Sequence, residues 1–268
     1  MIECIFCENA TDAKSIEHIV SESLGNTTYV MERGRVCDEC NGRFSKFEAD
    51  ALSASVLLME RARLGIKTKK GKNAKVQVAE LKIEGDVDFR KQFLVLNGLS
   101  EDNFEIIDGE KGIATVKVKN FNKRSTPNTK LLLKTGLEAL FTSQRKIYKK
   151  YNFSELREFL LTKNNKDWPF VFTSNEATEF KSIPRFKTKL ELSRVNISLS
   201  ISEVDEETLL FKFKYGVISM VVNLLNRNTA WIKPYDDAED FQVVFPDSFD
   251  KQLKRAKALE KATAIEEK

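Results

Sequence analysis

Two Cys-x-x-Cys pairs near the start of the chain constrain its fold more than any other feature. Cys4 and Cys7 form the first pair, and Cys37 and Cys40 form the second. Two such pairs that meet at one tetrahedral ion make a structural zinc site, because four thiolates leave no open coordination position. We expect a structural Zn²⁺ whose binding adds free energy on the order of 10 kcal/mol to folding. A redox dithiol would need a thioredoxin-like βαβ pattern, which the sequence lacks.

The first residues lack the basic and apolar regions of a signal peptide, and no apolar run approaches the roughly 18 residues of a membrane span. We therefore expect a soluble, cytoplasmic protein with no membrane partner, in which paired cysteines stay reduced and bind metal.

Charge is unevenly distributed along the 268 residues. The net charge is only +4, but residues 1–66 carry seven Lys and Arg against eleven Asp and Glu, whereas the remainder carries thirty-seven against twenty-nine. A basic body beside an acidic module favours a phosphodiester substrate, because lysine and arginine supply most sequence-independent affinity for nucleic acid.

The pattern predicts an α+β protein in three parts: a module at 1–66, a basic linker at 67–75 and a body at 76–268 that engages substrate or forms a homodimer. The linker is either a solvated connection or a phosphate-contacting arm. Periodicity predicts one amphipathic helix over 41–66 and helices over 126–150 and 152–161. Antiparallel strands are predicted at 76–83, 93–96, 104–107, 113–119, 195–202, 211–217, 230–233 and 241–245, with a helical end at 248–268.

The only histidine lies between the cysteine pairs, in Glu17-His18-Ile19, and Asn41 follows the last cysteine. Because a closed zinc site cannot hydrolyse a substrate, catalysis requires a second centre. Glu17 offers an oxygen ligand and His18 a base that titrates near neutral pH. Asn41 offers an amide oxygen where free helix N-terminal amides would favour phosphate. The alternatives are an exposed acid for Glu17 and a helix cap for Asn41; Glu48 and Asp50 are interpreted as surface or hydrogen-bonding residues.

These motifs, in this order over residues 3–52, resemble the zinc-stapled branch of the HNH endonucleases. The resemblance implies a ββα-metal fold and a metal-dependent endonuclease that hydrolyses phosphodiester bonds of DNA. It implies that His18 is the general base and that Glu17 and Asn41 hold Mg²⁺ or Mn²⁺. The sequence departs from the family pattern in two ways. Ser21 stands where the family often has proline, which makes the strand-to-loop corner less rigid, and the region 31–33 lacks an asparagine that is often present, which weakens the expected activity.

Basic residues near the site and in the linker are candidate nucleic-acid contacts, with ordinary solvated charge as the alternative. They are Arg33, Arg35, Arg43, Lys46, Lys67, Lys69, Lys70 and Lys72. The rival function is a non-catalytic zinc module, derived from a degenerate nuclease, that binds nucleic acid or a partner. An RNA substrate is a third possibility.

Overall fold

A computed structural model describes most of the chain. The described residues are 2–53, 55–68, 70–78, 80–88, 92–116, 125–162, 168–173, 178–184, 197–235 and 242–244. The linker candidate Lys69 and the predicted helix at 248–268 lie outside this set.

The N-terminal module consists of short strands, a long loop and a helix. Strand β1 (Ile2–Glu3) pairs antiparallel with β2 (Ala10–Thr11). An antiparallel bridge between His18 and Val30 forms a second, minimal hairpin. Helix α1 (Asp38–Leu52) follows, with Cys37 as its N-cap. This ββα order beside the cysteines agrees with the predicted fold of the module.

The helix predicted over 41–66 is two helices. Helix α1 begins earlier, at Asp38, and is followed by α2 (Ser55–Arg63) after a break at Ser53, whose N–H donates to the carbonyl of Ala49. The prediction missed the break because apolar residues recur with helical spacing on both sides of it.

Two small sheets follow. Strands β3 (Lys75–Val78), β4 (Leu81–Gly85) and β5 (Leu94–Asn97) form one sheet, and β6 (Phe104–Asp108) and β7 (Ile113–Val116) form a hairpin. The first sheet packs against α2, with the apolar core shared by Leu58, Met59 and the inner faces of β3 and β4. Between α2 and β3, the Gly71 N–H donates to the Thr68 carbonyl, and the Thr68 N–H donates to the Lys72 carbonyl.

Helix α3 (Ser125–Ser143) is the central element. Residues 131–141 are all buried, because the helix contacts α1, the short helices α4 (Arg145–Lys150) and α5 (Ser154–Leu161), and the main sheet.

The helix predicted at 126–150 is two helices, α3 and α4, and the helix predicted at 152–161 is confirmed as α5. Asn152 Oδ1 accepts from the Ser154 N–H at the start of α5.

The main sheet has six antiparallel strands in the order β13-β8-β12-β11-β10-β9. The strands are β8 (Phe170–Phe172), β9 (Lys181–Ile183), β10 (Ile197–Glu203), β11 (Leu209–Tyr215), β12 (Ile218–Asn223) and β13 (Gln242–Val244). One face carries Phe211 and Phe213 into the large core shared with α3, and the other carries Leu210 and Val221 against Trp231. The mixed helix and antiparallel-sheet class is thus confirmed.

Two predicted strands are wrong. The one predicted at 76–83 is two strands, β3 and β4, which pair antiparallel with each other. Residues predicted as a strand at 230–233 form a 3-10 helix, Ala230–Tyr235, that covers the second face of the sheet. Pro234 in this segment cannot donate a ladder hydrogen bond, which disfavours a strand there. Strands β8, β9 and β12 were not predicted. No helix among the described residues is both long and apolar enough to cross a membrane.

Candidate functional site

The four cysteine sulfur atoms lie within 4.8 Å of one another, and no other group of three or more His, Cys, Asp or Glu in the described part of the chain is arranged to hold a metal. Cys7 Sγ and Cys37 Sγ are 3.7 Å apart. Zn–S bonds of about 2.3 Å place the sulfurs of a regular tetrahedron roughly 3.8 Å apart, so the cluster fits a zinc ion. The Cys37 N–H points at Cys4 Sγ and the Cys40 N–H at Cys37 Sγ, both at 3.4 Å.

The thiols titrate differently because they bond to one another. Hydrogen bonding from the Cys40 thiol lowers the pKa of Cys4 to about 4, while that same bond and burial raise the pKa of Cys40. Burial raises the pKa of Cys7. A thiolate is thereby favoured at Cys4, and the thiolate is the form that binds metal.

The two cysteine pairs are also tied together by the backbone and by an aromatic contact. The Ile5 N–H donates to the Arg35 carbonyl at 3.0 Å. Phe6, inside the first pair, meets Phe44 of α1 edge to face with ring centroids 4.6 Å apart. The first pair, the second pair and α1 therefore form one packed unit.

His18 lies on the minimal hairpin with its side chain one-third exposed. Its Nε2 is 3.5 Å from the carboxylate of Glu22, which belongs to a 3-10 helix at Glu22–Leu24. Ser21 Oγ accepts from the Ser23 N–H and caps that short helix. The corner where the family often has proline is thus fixed by a side-chain cap.

Asn26, which the sequence analysis missed, organises the loop that follows His18. Its Nδ2 donates to the carbonyls of Val20 and Tyr29, and its Oδ1 accepts from the N–H groups of Thr28 and Tyr29. The residue is buried. Asn26 therefore bonds to the backbone on both sides of this loop.

Glu17 is buried, and its carboxylate has a charged partner. Oε1 of Glu17 accepts from Lys134 Nζ at 2.8 Å, although the two residues are 117 positions apart. The same ammonium lies 2.8 Å from Glu48 Oε1 and 3.1 Å from Glu138 Oε1. The interpretation of Glu17 as an exposed acid is wrong, and Glu48 belongs to a buried ion network.

This network shifts the pKa values of its buried members. Burial alone lowers the pKa of Lys134, but the carboxylates of Glu138, Glu48 and Glu17 outweigh that effect and raise it. Burial raises the pKa of Glu138 well above its usual range. The amino group of Lys134 thus lies among the acidic side chains of Glu17, Glu48 and Glu138 rather than in water.

Asn41 lies within α1, half-buried, and its N–H donates to the Cys37 carbonyl at 3.0 Å. Because the helix begins at Asp38, Asn41 is not the helix cap and does not offer a free amide to a phosphate. Of the two groups proposed for Asn41, only its side-chain oxygen is left as a candidate ligand for a metal ion.

The candidate nucleic-acid contacts differ in what their side chains already bind. Arg35 pairs with Glu32 and lies 5.6 Å from the Phe141 ring centroid, and Arg43 pairs with Glu39 and donates to the Leu161 carbonyl. The exposed members of the set are Arg33, Arg43, Lys46, Lys67, Lys70 and Lys72.

Arg43 and Lys46 line a cleft of about 710 Å³ between α1, α3 and α5. Lys130 of α3 also lines it, and its Nζ donates to the Thr162 carbonyl at 3.3 Å. The apolar lining includes Phe47 and Leu160. Two of the predicted basic contacts thus share one cleft with a third cation that the sequence analysis missed.

Lys134 and Glu138 also escaped the sequence analysis. The signal for them is a Lys and a Glu four positions apart in the stretch 131–141, where Thr135 is the only other polar residue. A charged pair at this spacing in such a helix predicts a buried ion pair that needs further partners.

Comparison with known proteins gives one result. Residues 4–57 match the family model described as HNH endonuclease. No curated protein and no solved structure matches the chain. The match spans the cysteine cluster, Glu17, His18, Asn41 and Glu48, and it ends before α3. The N-terminal module is therefore similar to the HNH endonuclease family over residues 4–57.

Proposed function

We propose that this protein is a metal-dependent endonuclease that hydrolyses phosphodiester bonds of DNA. The observation that carries the proposal is the position of His18: the only histidine of the chain is partly exposed on the hairpin of a zinc-type HNH module. The four cysteines already complete the zinc shell, so the imidazole is not needed as a ligand there.

His18 acts as the general base. Its neutral imidazole accepts a proton from the attacking water, a contribution typically worth roughly 10²–10⁴-fold in rate. Because Glu22 Oε1 lies 3.5 Å from Nε2, we assign Nδ1 as the accepting nitrogen. Glu17 and Asn41 bind the divalent cation, Mg²⁺ or Mn²⁺, through oxygen atoms, the ligand type that such ions prefer. When bound, that ion supplies Lewis-acid stabilisation of the charge on phosphorus and on the departing 3′-oxygen.

The substrate backbone is held by cations around the module. The cleft with Arg43, Lys46 and Lys130 combines positive charge with an apolar lining, and the exposed Arg33, Lys67, Lys70 and Lys72 extend the positive surface. Such contacts supply affinity without reading sequence. The thiolate zinc site is consistent with a cytoplasmic protein, because it requires reduced cysteines.

One observation favours a second candidate, a zinc module that binds nucleic acid without cutting it. Glu17 Oε1 is bonded to a buried ammonium, so this carboxylate has a structural role whether or not it binds an ion. In that case Glu17 belongs to the scaffold, and the basic surface alone provides the function.

Cleavage of supercoiled plasmid DNA in Mg²⁺ or Mn²⁺ distinguishes the two candidates. We expect wild-type protein to nick or cut the plasmid and His18→Ala to lose roughly 10²-fold or more in rate, with unchanged zinc content and melting temperature. Equal cleavage by both proteins would contradict the role of His18. DNA binding without cleavage by wild-type protein would support the binding module, and competition by RNA would identify an RNA substrate.

A further inference from the structure

Lys134 is the most unusual charged residue among those described. Its side chain is 1% exposed, and three carboxylates surround its ammonium. Each comes from a different element: Glu17 from the hairpin, Glu48 from α1 and Glu138 from α3 itself. Its Nζ donates to Glu17 Oε1 and to Glu138 Oε2, and Glu48 Oε1 lies 2.8 Å from it.

Lys134 lies outside the segment of the chain that matches the family model. The family match ends at residue 57, whereas Lys134 and Glu138 lie on α3, in the core between α1 and the main sheet. The N-terminal module therefore holds one of its candidate ion ligands through a side chain that it does not itself contain.

The contact fixes the side chain of Glu17 rather than its backbone. The backbone is already held, because the Glu17 carbonyl accepts from the Met31 N–H at 2.9 Å in the hairpin. The carboxylate, at the end of three rotatable bonds, is held at Oε1 by Lys134. Holding a ligand in one rotamer before an ion binds removes an entropic cost from binding.

We propose that Lys134 is a positioning residue of the nuclease site: it holds Glu17 by Oε1 and leaves Oε2 for the divalent cation. Helix α3 thus completes the site that the family segment begins. The inference rests on the proposed function, because it takes Glu17 as an ion ligand. Residues that orient metal ligands typically contribute about 10–100-fold to metal affinity or activity.

The central variant is Lys134→Met combined with Glu138→Gln. Removing Lys134 alone leaves buried acidic groups without a cation, which is strongly destabilising. The second substitution makes the α3 pair neutral and reduces that destabilisation. Lys82→Met is the matched control. The Lys82 side chain is partly exposed, and it pairs with Glu84 at 2.5 Å in β4, away from the nuclease module.

Binding of Mn²⁺ to zinc-loaded protein, followed by the electron paramagnetic resonance signal of the free ion, is the first readout. We expect the double variant to bind Mn²⁺ about 10–100-fold more weakly than wild type, and Lys82→Met to bind it as wild type does. On plasmid DNA, we expect kcat to fall and the Mg²⁺ requirement to rise, with KM for DNA changed by less than about twofold.

Unchanged Mn²⁺ affinity in a folded double variant would overturn the proposal and reduce Lys134 to a structural role. Tighter Mn²⁺ binding would also overturn it, because the ammonium would then compete with the ion. If the double variant does not fold, Lys134→Arg replaces it: a planar guanidinium keeps the charge but not the donor directions, so the affinity should still fall, and a wild-type value would refute positioning.

The two proposals fail in different ways. Wild-type protein that binds Mn²⁺ through Lys134-held Glu17 but cuts no DNA would sustain the positioning role and refute hydrolysis. Plasmid cleavage that is lost in His18→Ala but unchanged in the Lys134 variants would support hydrolysis and refute the positioning role.

Discussion

The N-terminal module and the main sheet are stabilised by different means. The module has two-residue strands, a single bridge at His18 and a helix, joined by sulfur ligands and by side-chain bonds such as those of Asn26. In the sheet, β10 and β11 pair over seven successive positions, and both faces are covered by apolar residues. The candidate chemistry therefore lies where backbone ladders are shortest, beside four cysteines that could hold an ion and next to α3.

Zinc removal should separate these two regions most strongly. A chelator under reducing conditions takes away binding free energy on the order of 10 kcal/mol, and the module has little regular hydrogen bonding to replace it. We expect hydrogen exchange to accelerate throughout residues 2–45 while amides of β10, β11 and β12 stay protected. Mass-spectrometric exchange before and after chelation measures this.

Addition of zinc should restore slow exchange in the module, which controls for irreversible damage. Equal acceleration in both regions would mean that the sheet also depends on the ion. No acceleration in the module would mean that its packing through Phe6 and Phe44 suffices without metal.

Asn26→Ala tests the side-chain bonds of the module. The change removes four hydrogen bonds and leaves buried backbone groups unpaired, so we expect the unfolding free energy to fall by about 2–3 kcal/mol. The loop that carries the Glu22 and His18 pair should loosen, and plasmid cleavage should slow. Chemical denaturation and the cleavage assay measure the two effects.

Asn103→Ala is the comparison for that change. Asn103 also bonds the backbone with both ends of its amide, to the Ser100 N–H and the Gly98 carbonyl, but in a loop whose hydrogen bonds are exposed. We expect a loss below about 1 kcal/mol and unchanged cleavage. Similar losses at Asn26 and Asn103 would contradict a special role for Asn26 in the hairpin.

The same contrast separates what sequence reasoning found from what it missed. The cysteine cluster and the module's strand and helix order depend on short spacings and known ligand chemistry, so local patterns predicted them. The contact between Glu17 and Lys134 joins residues 117 positions apart, and no local pattern contains that information. The Ala230–Tyr235 segment was misread because a short apolar run fits a strand as well as a helix. In the structure it is a 3-10 helix that packs on one face of the sheet, whose edge strands are β9 and β13.

Substitution of two helical glycines, one in α1 and one in α3, should give the smallest difference in stability between the two regions. A Cβ on Gly42 of α1 would meet no atom within 4 Å, whereas one on Gly136 of α3 would lie 2.7 Å from Leu224 Cδ2 and 3.0 Å from Phe211 Cγ. Alanine is better than glycine in a helix by about 0.8–1 kcal/mol, so Gly42→Ala should stabilise by about that amount. At Gly136 the crowding of the sheet, typically about 1–3 kcal/mol, opposes that gain, and we expect a net loss. Denaturant titration of both variants measures the difference in unfolding free energy. Equal stabilisation of the two variants would show that α3 does not pack tightly on the sheet. In that case α3 could not hold Lys134 rigidly against the module.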